Sequence, residues 1–124
     1  MNWEDYQCGT EGTWSEVFSF VTPRVDQSWS PKVAVFGDMG LENMQALKVL
    51  APAAARGEID SLLHTGDIAY DLNGENGQVG DKYMNKIQSL VAHLPYMVCP
   101  GNQEVAKYAF RFQIYWALFI RIYI

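Results

Sequence analysis

At 124 residues and 14.0 kDa, the chain has room for one small domain, set against the roughly 100–200 residues that a domain usually takes. With 49% hydrophobic and 19% charged residues it is too apolar for a disordered tail and too mixed for a membrane bundle. Fourteen acids against nine bases give a formal charge of −5, which excludes the basic field that nucleic-acid binding requires. The charge is unevenly placed. Residues 105–124 hold no acid, three bases (Lys107, Arg111 and Arg121) and seven of the 17 aromatics, so they stand apart from residues 1–104, which hold all 14 acids and six bases.

The N-terminal residues are acidic and lack the apolar run of a secretory signal. Trp14 to Val21 alternates like a β-strand, with Gly9, Gly12 and Pro23 at its margins. Residues 27–31 (QSWSP) read as a turn-like linker. Lys32 to Phe36 is a short apolar run of the kind found in buried parallel strands, and it ends at Gly37-Asp38-Met39-Gly40. The spacing then predicts a helix over 42–56, with Met44, Leu47, Leu50, Ala51 and Ala54 near one face, a kink or shortening at Pro52, and a stop at Gly57.

Ile59 to His64 reads as a second buried strand, ending at Thr65-Gly66-Asp67-Ile68-Ala69-Tyr70-Asp71. Leu72 to Gly80 carries three glycines and reads as loop. A better helix comes next, with Tyr83, Ile87, Leu90, Val91 and Leu94 at helical spacing and Pro95 as its stop. His93 falls near its end, as a solvated or dipole-facing side chain. Tyr96 to Cys99 is a third strand, ending at Pro100-Gly101-Asn102-Gln103-Glu104. The order strand–helix–strand–helix–strand predicts an α/β fold with a parallel sheet. Two cysteines do not define a disulfide framework; buried free thiols are the expectation for Cys8 and Cys99, with a Cys8–Cys99 bridge as the alternative. The uncharged apolar stretch from Phe112 to Ile120 is about half of the ~20 residues that span a bilayer, so no transmembrane helix is expected.

Three strands end in the same grammar: an apolar run, a glycine, then an oxygen ligand suited to a metal. These are Gly37-Asp38, Gly66-Asp67 and Gly101-Asn102. In an open α/β sheet ligands gather outside the carboxyl ends of the strands, so all three ligands face one rim. Each glycine allows the backbone to turn sharply toward a small charged object. Singly, each pair is an ordinary turn; three in succession, one βα unit apart, are far more specific. Tyr70 adds a phenol three residues after Asp67, and hard trivalent iron favours such anionic oxygen donors, although a core tyrosine with its hydroxyl at the rim is an equal reading.

GDMG (37–40), GDIAYD (66–71) and GNQE (101–104) together resemble the metallophosphoesterase signature, and Tyr70 points within it to the purple acid phosphatases, most closely the animal type. The segment YQCGTEGTWSEVFSFVTP (6–23) resembles the last strand of that family's N-terminal fibronectin-like β domain. The resemblance implies three parts: residues 1–26 as the remnant of the β domain, 32–104 as the first part of the metallophosphoesterase sandwich, and 105–124 as an atypical apolar, basic tail. It implies a two-metal centre, iron beside zinc, iron or manganese. There Asp38 and Tyr70 would bind iron, Asp67 would bridge both metals, and Asn102 would bind the second through its amide oxygen. The substrate would be a phosphate monoester, whose phosphoryl oxygens the metal pair clamps while making hydroxide available near neutral or acid pH. Secretion or a lysosomal address is implied for the complete protein.

Two departures from the family pattern stand out. Gln103 occupies the place of the family histidine that protonates the leaving alkoxide; it can donate a hydrogen bond to a phosphate oxygen but has no titrating proton, and losing a general acid costs on the order of 10²–10⁴-fold in rate. The two later motifs that supply three more ligand histidines, Val-x-x-His and Gly-His-x-His, do not occur in this sequence. Of its two histidines, His64 matches the family as a structural neighbour, and neither it nor His93 replaces a missing ligand. Residues 110–124 (FRFQIYWALFIRIYI) do not resemble the continuation of the family pattern, and a membrane-surface helix flanked by Arg111 and Arg121 is an alternative reading of them.

Beside the enzyme stands a second hypothesis, a non-catalytic fragment or isoform with weak metal binding. A third, a nucleotide-binding domain using Gly37–Gly40 as a phosphate loop, lacks both a Walker lysine and a GxGxxG pattern. Half of a two-layer sheet would also leave an open edge and a bare hydrophobic face.

Overall fold

The computed structural model describes residues 2–26 and 28–104. The expectations for residues 105–124, including the membrane-surface helix, lie outside the described residues.

The centre of the fold is a three-stranded parallel sheet of β5 (Val33–Phe36), β6 (Ser61–His64) and β7 (Tyr96–Val98), in that spatial order with β6 in the middle. Val35 pairs with Leu63, and Leu63 with Met97; Phe36 pairs with His64, and His64 with Val98. Partners in a parallel ladder point to the same face, and side chains alternate along each strand. One face therefore carries Phe36, Leu62, His64, Tyr96 and Val98, and the other carries Val33, Val35, Leu63 and Met97. The first face is covered by α1 (Gln45–Ala55) and α2 (Gln78–Val91), which pack on one another as two right-handed crossovers of successive strands require. Val33, Val35 and Met97 on the second face are 46%, 61% and 45% exposed, so the bare apolar face anticipated from half a sandwich is present among the described residues.

The core lies between the covered face and the helices: Met39, Met44, Ile68, Ala69, Tyr83 and Ile87, with Phe36, Leu47, Leu72 and Val98 around them. The spacing of Tyr83, Ile87 and Leu90 puts all three on the buried side of α2, each at most 1% exposed. Burial at this level is worth about 1.5–3 kcal/mol per side chain, and it is what holds an otherwise polar helix in place. The helix α2 starts at Gln78, inside the stretch read as loop, because the loop closes early in a 3-10 turn at Gly74–Gly77. α1 continues through Pro52 to Ala55, where a kink or a shortening was expected. Pro52 is solvent-exposed, so the carbonyl left without its helical partner faces water and the helix runs on, with Gly57 then taking the left-handed conformation that ends it.

The N-terminal segment differs most from expectation. The predicted strand over 14–21 is broken, and only β4 (Phe18–Val21) is continuous; it pairs antiparallel with β1 (Trp3–Tyr6). Between them, β2 (Gly9–Thr10) and β3 (Thr13–Trp14) form a two-residue ladder. The break falls at Ser15, whose hydroxyl accepts from the Cys8 amide (3.0 Å) and donates to the Glu16 carbonyl (2.7 Å), bonds that compete with a continuous ladder. The hairpin is docked on the end of α2: the Tyr6 hydroxyl donates to the Ala92 carbonyl (2.8 Å), and His93 Nδ1 donates to the Ser19 carbonyl (2.8 Å) with its ring edge-on to Phe18. His93 is thus exposed as expected, yet fixed by the hairpin. Both cysteines are free; Cys8 is exposed, against the expectation of burial, because it sits in a hairpin with no layer over it, and Cys99 is half-buried.

Candidate metal centre

The three glycine-led loops all leave the carboxyl end of the sheet, and hydrogen bonds stitch them side by side. The Asp38 amide donates to the Gly66 carbonyl (3.2 Å), the Gly40 amide to the Ile68 carbonyl (3.0 Å), and the Cys99 amide to the His64 carbonyl (3.0 Å). Gly66 and Gly101 mark where two loops cross. A Cβ on Gly66, which has φ +96°, would collide with the Gly101 backbone, and one on Gly101 would collide with the Asp67 carboxylate and amide. Gly37 has an ordinary φ; its missing side chain leaves room for the Thr65 hydroxyl.

The nominated ligands share the turn with Gly66 and Gly40. Asp38 (φ 52°), Asp67 (φ 49°) and Tyr70 (φ 64°) are all left-handed, and the other non-glycine residues in that region among the described residues, Glu75 and Asn76, belong to the 3-10 turn. A bulky tyrosine there is a true outlier, and strain of this kind persists only where surrounding structure holds it.

Tyr70 reaches back across the rim, and its hydroxyl donates to Asp38 Oδ1 at 2.8 Å. That bond, with the nearby negative charges of Asp38, Asp67 and Glu104, holds the Tyr70 phenol above its ordinary pKa, so it keeps its proton until a cation reverses the local field. Asp67 is buried at 8% exposure and accepts at Oδ1 from the Gln103 amide (2.9 Å). Asn102 is exposed, between two residues that both touch the Asp67 side of the site. The structure therefore joins Asp38 to Tyr70 by side chains, and Asp67 to the Gly101–Gln103 loop by backbone. Gln103 is half-buried, and its contact with Asp67 is made by its backbone.

Sequence reasoning missed Glu104. Its carboxylate is 5% exposed and accepts three backbone amides: Asp67 (2.8 Å) and Gly101 (2.8 Å) at Oε2, and Ile68 (2.9 Å) at Oε1. The signal was present, since an acid closing an apolar strand–turn must be satisfied if buried. His64, fully buried, stacks on Phe36 and shares a hydrogen bond between its Nδ1 and the Tyr96 hydroxyl (2.7 Å), with Tyr83 Oη at 3.4 Å from both. Burial pushes the Tyr96 phenol far up, so it keeps its proton beside the imidazole, whose Nε2 is a buried atom. Burial also lowers the His64 pKa, against the opposing pull of Glu104, Asp38 and the Gly66 backbone.

Among the described residues, no three His, Cys, Asp or Glu side chains converge as a cation cage. The nominated donors are all oxygens, two carboxylates, a phenol and an amide, and neither Asp38, Asp67 nor Glu104 has an ion-pair partner among the described residues. An oxygen-only donor set of uncompensated negative charge suits a hard cation. Beside it opens a cleft of about 420 Å³ between Asp38, Leu41, Glu42, Tyr70 and Val79.

Comparison with known proteins places the chain in a family. Residues 31–124 match the model of the calcineurin-like phosphoesterases. The chain is 46% identical over 114 residues to acid phosphatase type 7 of Danio rerio, covering 92% of this chain and 25% of that protein, and 46% identical over 99 residues to acid phosphatase type 7 of Mus musculus, covering 80% and 23%. The structure of the purple acid phosphatase PPD1 from yellow lupin (Lupinus luteus) seeds superposes with a TM-score of 0.58 at 30% identity, over 72% of this chain and 18% of that one. The chain spans about a quarter of the length of the curated relatives it matches. In motif, fold and sequence, the chain belongs to the calcineurin-like phosphoesterase family, on its purple acid phosphatase branch.

Proposed function

We propose that this chain contributes part of the metal cage of a purple-type acid phosphatase that hydrolyses phosphate monoesters. In this reading Asp38 and Tyr70 hold iron, Asp67 bridges, and Asn102 holds a second metal, zinc, iron or manganese. Bound there, the metals would neutralise phosphoryl oxygens and lower the pKa of water. The chain's own residues do the rest. Tyr70 hands its proton to solvent when a cation is taken up, Asp67 stays oriented by the Gln103 amide, and Gln103 offers a hydrogen-bond donor to a phosphate oxygen. The observation that carries the reading is the Tyr70–Asp38 hydrogen bond beside a buried Asp67, with all three residues in left-handed backbone.

On the same relationship we read 1–26 as a remnant of a fibronectin-like β domain, 32–104 as the first part of the metallophosphoesterase domain, and 105–124 as an atypical apolar, basic tail. A secreted or lysosomal protein is the reading that the same relationship supports. Gln103 supports a second reading, in which the product binds metal weakly and does not turn over. The test is iron content and cleavage of p-nitrophenyl phosphate at pH 5 by the full-length protein. Iron with turnover supports the enzyme, iron without turnover supports the second reading, and neither overturns both.

A further inference from the structure

We infer that Glu104 is a positioning residue: its carboxylate locks the loop after β6 to the loop after β7, and so sets the separation of Asp67 and Asn102 before any metal arrives. The inference rests on the reading of Asp67 and Asn102 as ligands, and its structural basis is independent of that reading. Asp67 and Ile68 come after β6, Gly101 and Glu104 come after β7, and no strand ladder reaches any of them. What joins them is one buried carboxylate accepting three amides at 2.8–2.9 Å, two from the first loop and one from its own.

The chemistry of the acceptor matters. All three partners are backbone N–H donors, so the site needs an acceptor with lone pairs on both oxygens and no hydrogen. A glutamine of the same shape must turn its NH2 toward at least one donor. Charge-assisted bonds of this kind are roughly twice as strong as neutral ones. The return contact, the Gln103 amide on Asp67 Oδ1 at 2.9 Å, closes a ring in which Glu104 holds the Asp67 backbone while its neighbour aims the Asp67 side chain. The ring lets two left-handed residues, Asp67 and Tyr70, sit in a loop with no regular structure. Removing Glu104 would leave the strands and helices intact, because none of its bonds belongs to them.

The test compares the wild-type chain with Glu104→Gln and Asp67→Asn by amide hydrogen exchange and by titration with Zn(II) alone. In Glu104→Gln the Asp67, Ile68 and Gly101 amides should exchange at least tenfold faster, while those of Leu62 and Leu90 keep their protection. Its Zn(II) dissociation constant should rise at least tenfold. Unchanged protection of the three amides overturns the inference, as does unchanged Zn(II) affinity in Glu104→Gln when Asp67→Asn has lost it. If wild type and Asp67→Asn bind Zn(II) alike, or neither binds, the ligand reading fails, and exchange alone decides the clamp. If Glu104→Gln does not fold, the wild-type chain decides: Gly101, a loop residue, must exchange at least tenfold more slowly than the neighbouring Asn102, and equal rates overturn the inference.

Discussion

Substituting alanine at Gly101 isolates how tightly the two site loops are pressed together. A Cβ there would lie 2.8 Å from Asp67 Cγ and closer still to the Asp67 carboxylate oxygen and amide. Carbon atoms prefer about 3.5–4.0 Å, so the loops must part by roughly 1 Å. Parting stretches the Glu104 contacts to Asp67 and Ile68 from 2.8 and 2.9 Å toward 4 Å, beyond hydrogen-bond range. Each bond to a charged acceptor contributes about 1.5–3 kcal/mol, so losing two predicts about 3–6 kcal/mol of destabilisation.

Gly57→Ala is the control, since Gly57 is left-handed (φ +69°) with nothing within 4 Å of its Cβ, and it should cost only the left-handed penalty of about 1–2 kcal/mol. Gly66→Ala combines both terms, because a left-handed residue there would also meet the Pro100 carbonyl carbon at 2.9 Å. Urea unfolding of the three variants, read as midpoints with unchanged m-values, should therefore rank Gly57→Ala mildest and Gly66→Ala harshest. A Gly101→Ala variant no worse than Gly57→Ala would refute the close crossing on which the geometry of the site depends.

Tyr96→Phe removes the hydroxyl paired with buried His64 Nδ1 and should destabilise by about 1–3 kcal/mol in the same urea assay, because the imidazole nitrogen is left unpaired. His64 also sets a pH dependence. Its folded pKa is depressed by burial, so its contribution is complete above the ordinary histidine value of about 6.5; as pH falls toward the lower folded pKa the unfolded chain takes the proton first, and stability should drop by up to about 1.4 kcal/mol per unit. A His64→Phe variant whose stability keeps the same slope from pH 7 to 5 would remove His64 as its source. On the bare sheet face, Val35→Lys and Met97→Lys should leave unfolding midpoints within about 0.5 kcal/mol and reduce self-association in light scattering, since both positions are at least 45% exposed. Gln103→His in the full-length protein should raise turnover of alkyl phosphates by about 10²–10⁴-fold, and raise p-nitrophenyl phosphate turnover far less, because that leaving group needs no proton.

The central βαβαβ order was legible because its signals are local. The run Val33–Phe36 marks a strand although one of its faces is exposed, while Ser61–His64 and the helical spacing of Tyr83, Ile87 and Leu90 record burial directly. The loops after those strands were legible because glycine, aspartate and asparagine stand where a strand must stop. The N-terminal hairpin was not. Trp3–Tyr6 turns only Tyr6 inward, so it has no alternating apolar face, and its pairing with Phe18–Val21 is a long-range event. The Ser15 break was hidden for a similar reason: its hydroxyl bonds depend on Cys8 being brought alongside. Pro52 misled in the opposite direction, because its effect depends on whether the freed carbonyl meets water.

The site shows the same division. Sequence could nominate Asp38, Asp67, Tyr70 and Asn102 and assigned the turning to the glycines; Gly66 does turn left-handed, but at two of the three loops the aspartates adopt the left-handed backbone as well. That costs of order 1–3 kcal/mol per residue, and aspartate tolerates it better than tyrosine. A loop carrying Asp67 and Tyr70 in that state must be held from outside. The holders are visible only in three dimensions: Glu104 on the Asp67 and Ile68 amides, and Asp38 on the Tyr70 hydroxyl. The two buried bonds from the Asp67 and Ile68 amides to Glu104, at about 1.5–3 kcal/mol each, match the strain of the two residues in size. The balance gives Glu104 and Asp38 a second task beside any metal chemistry.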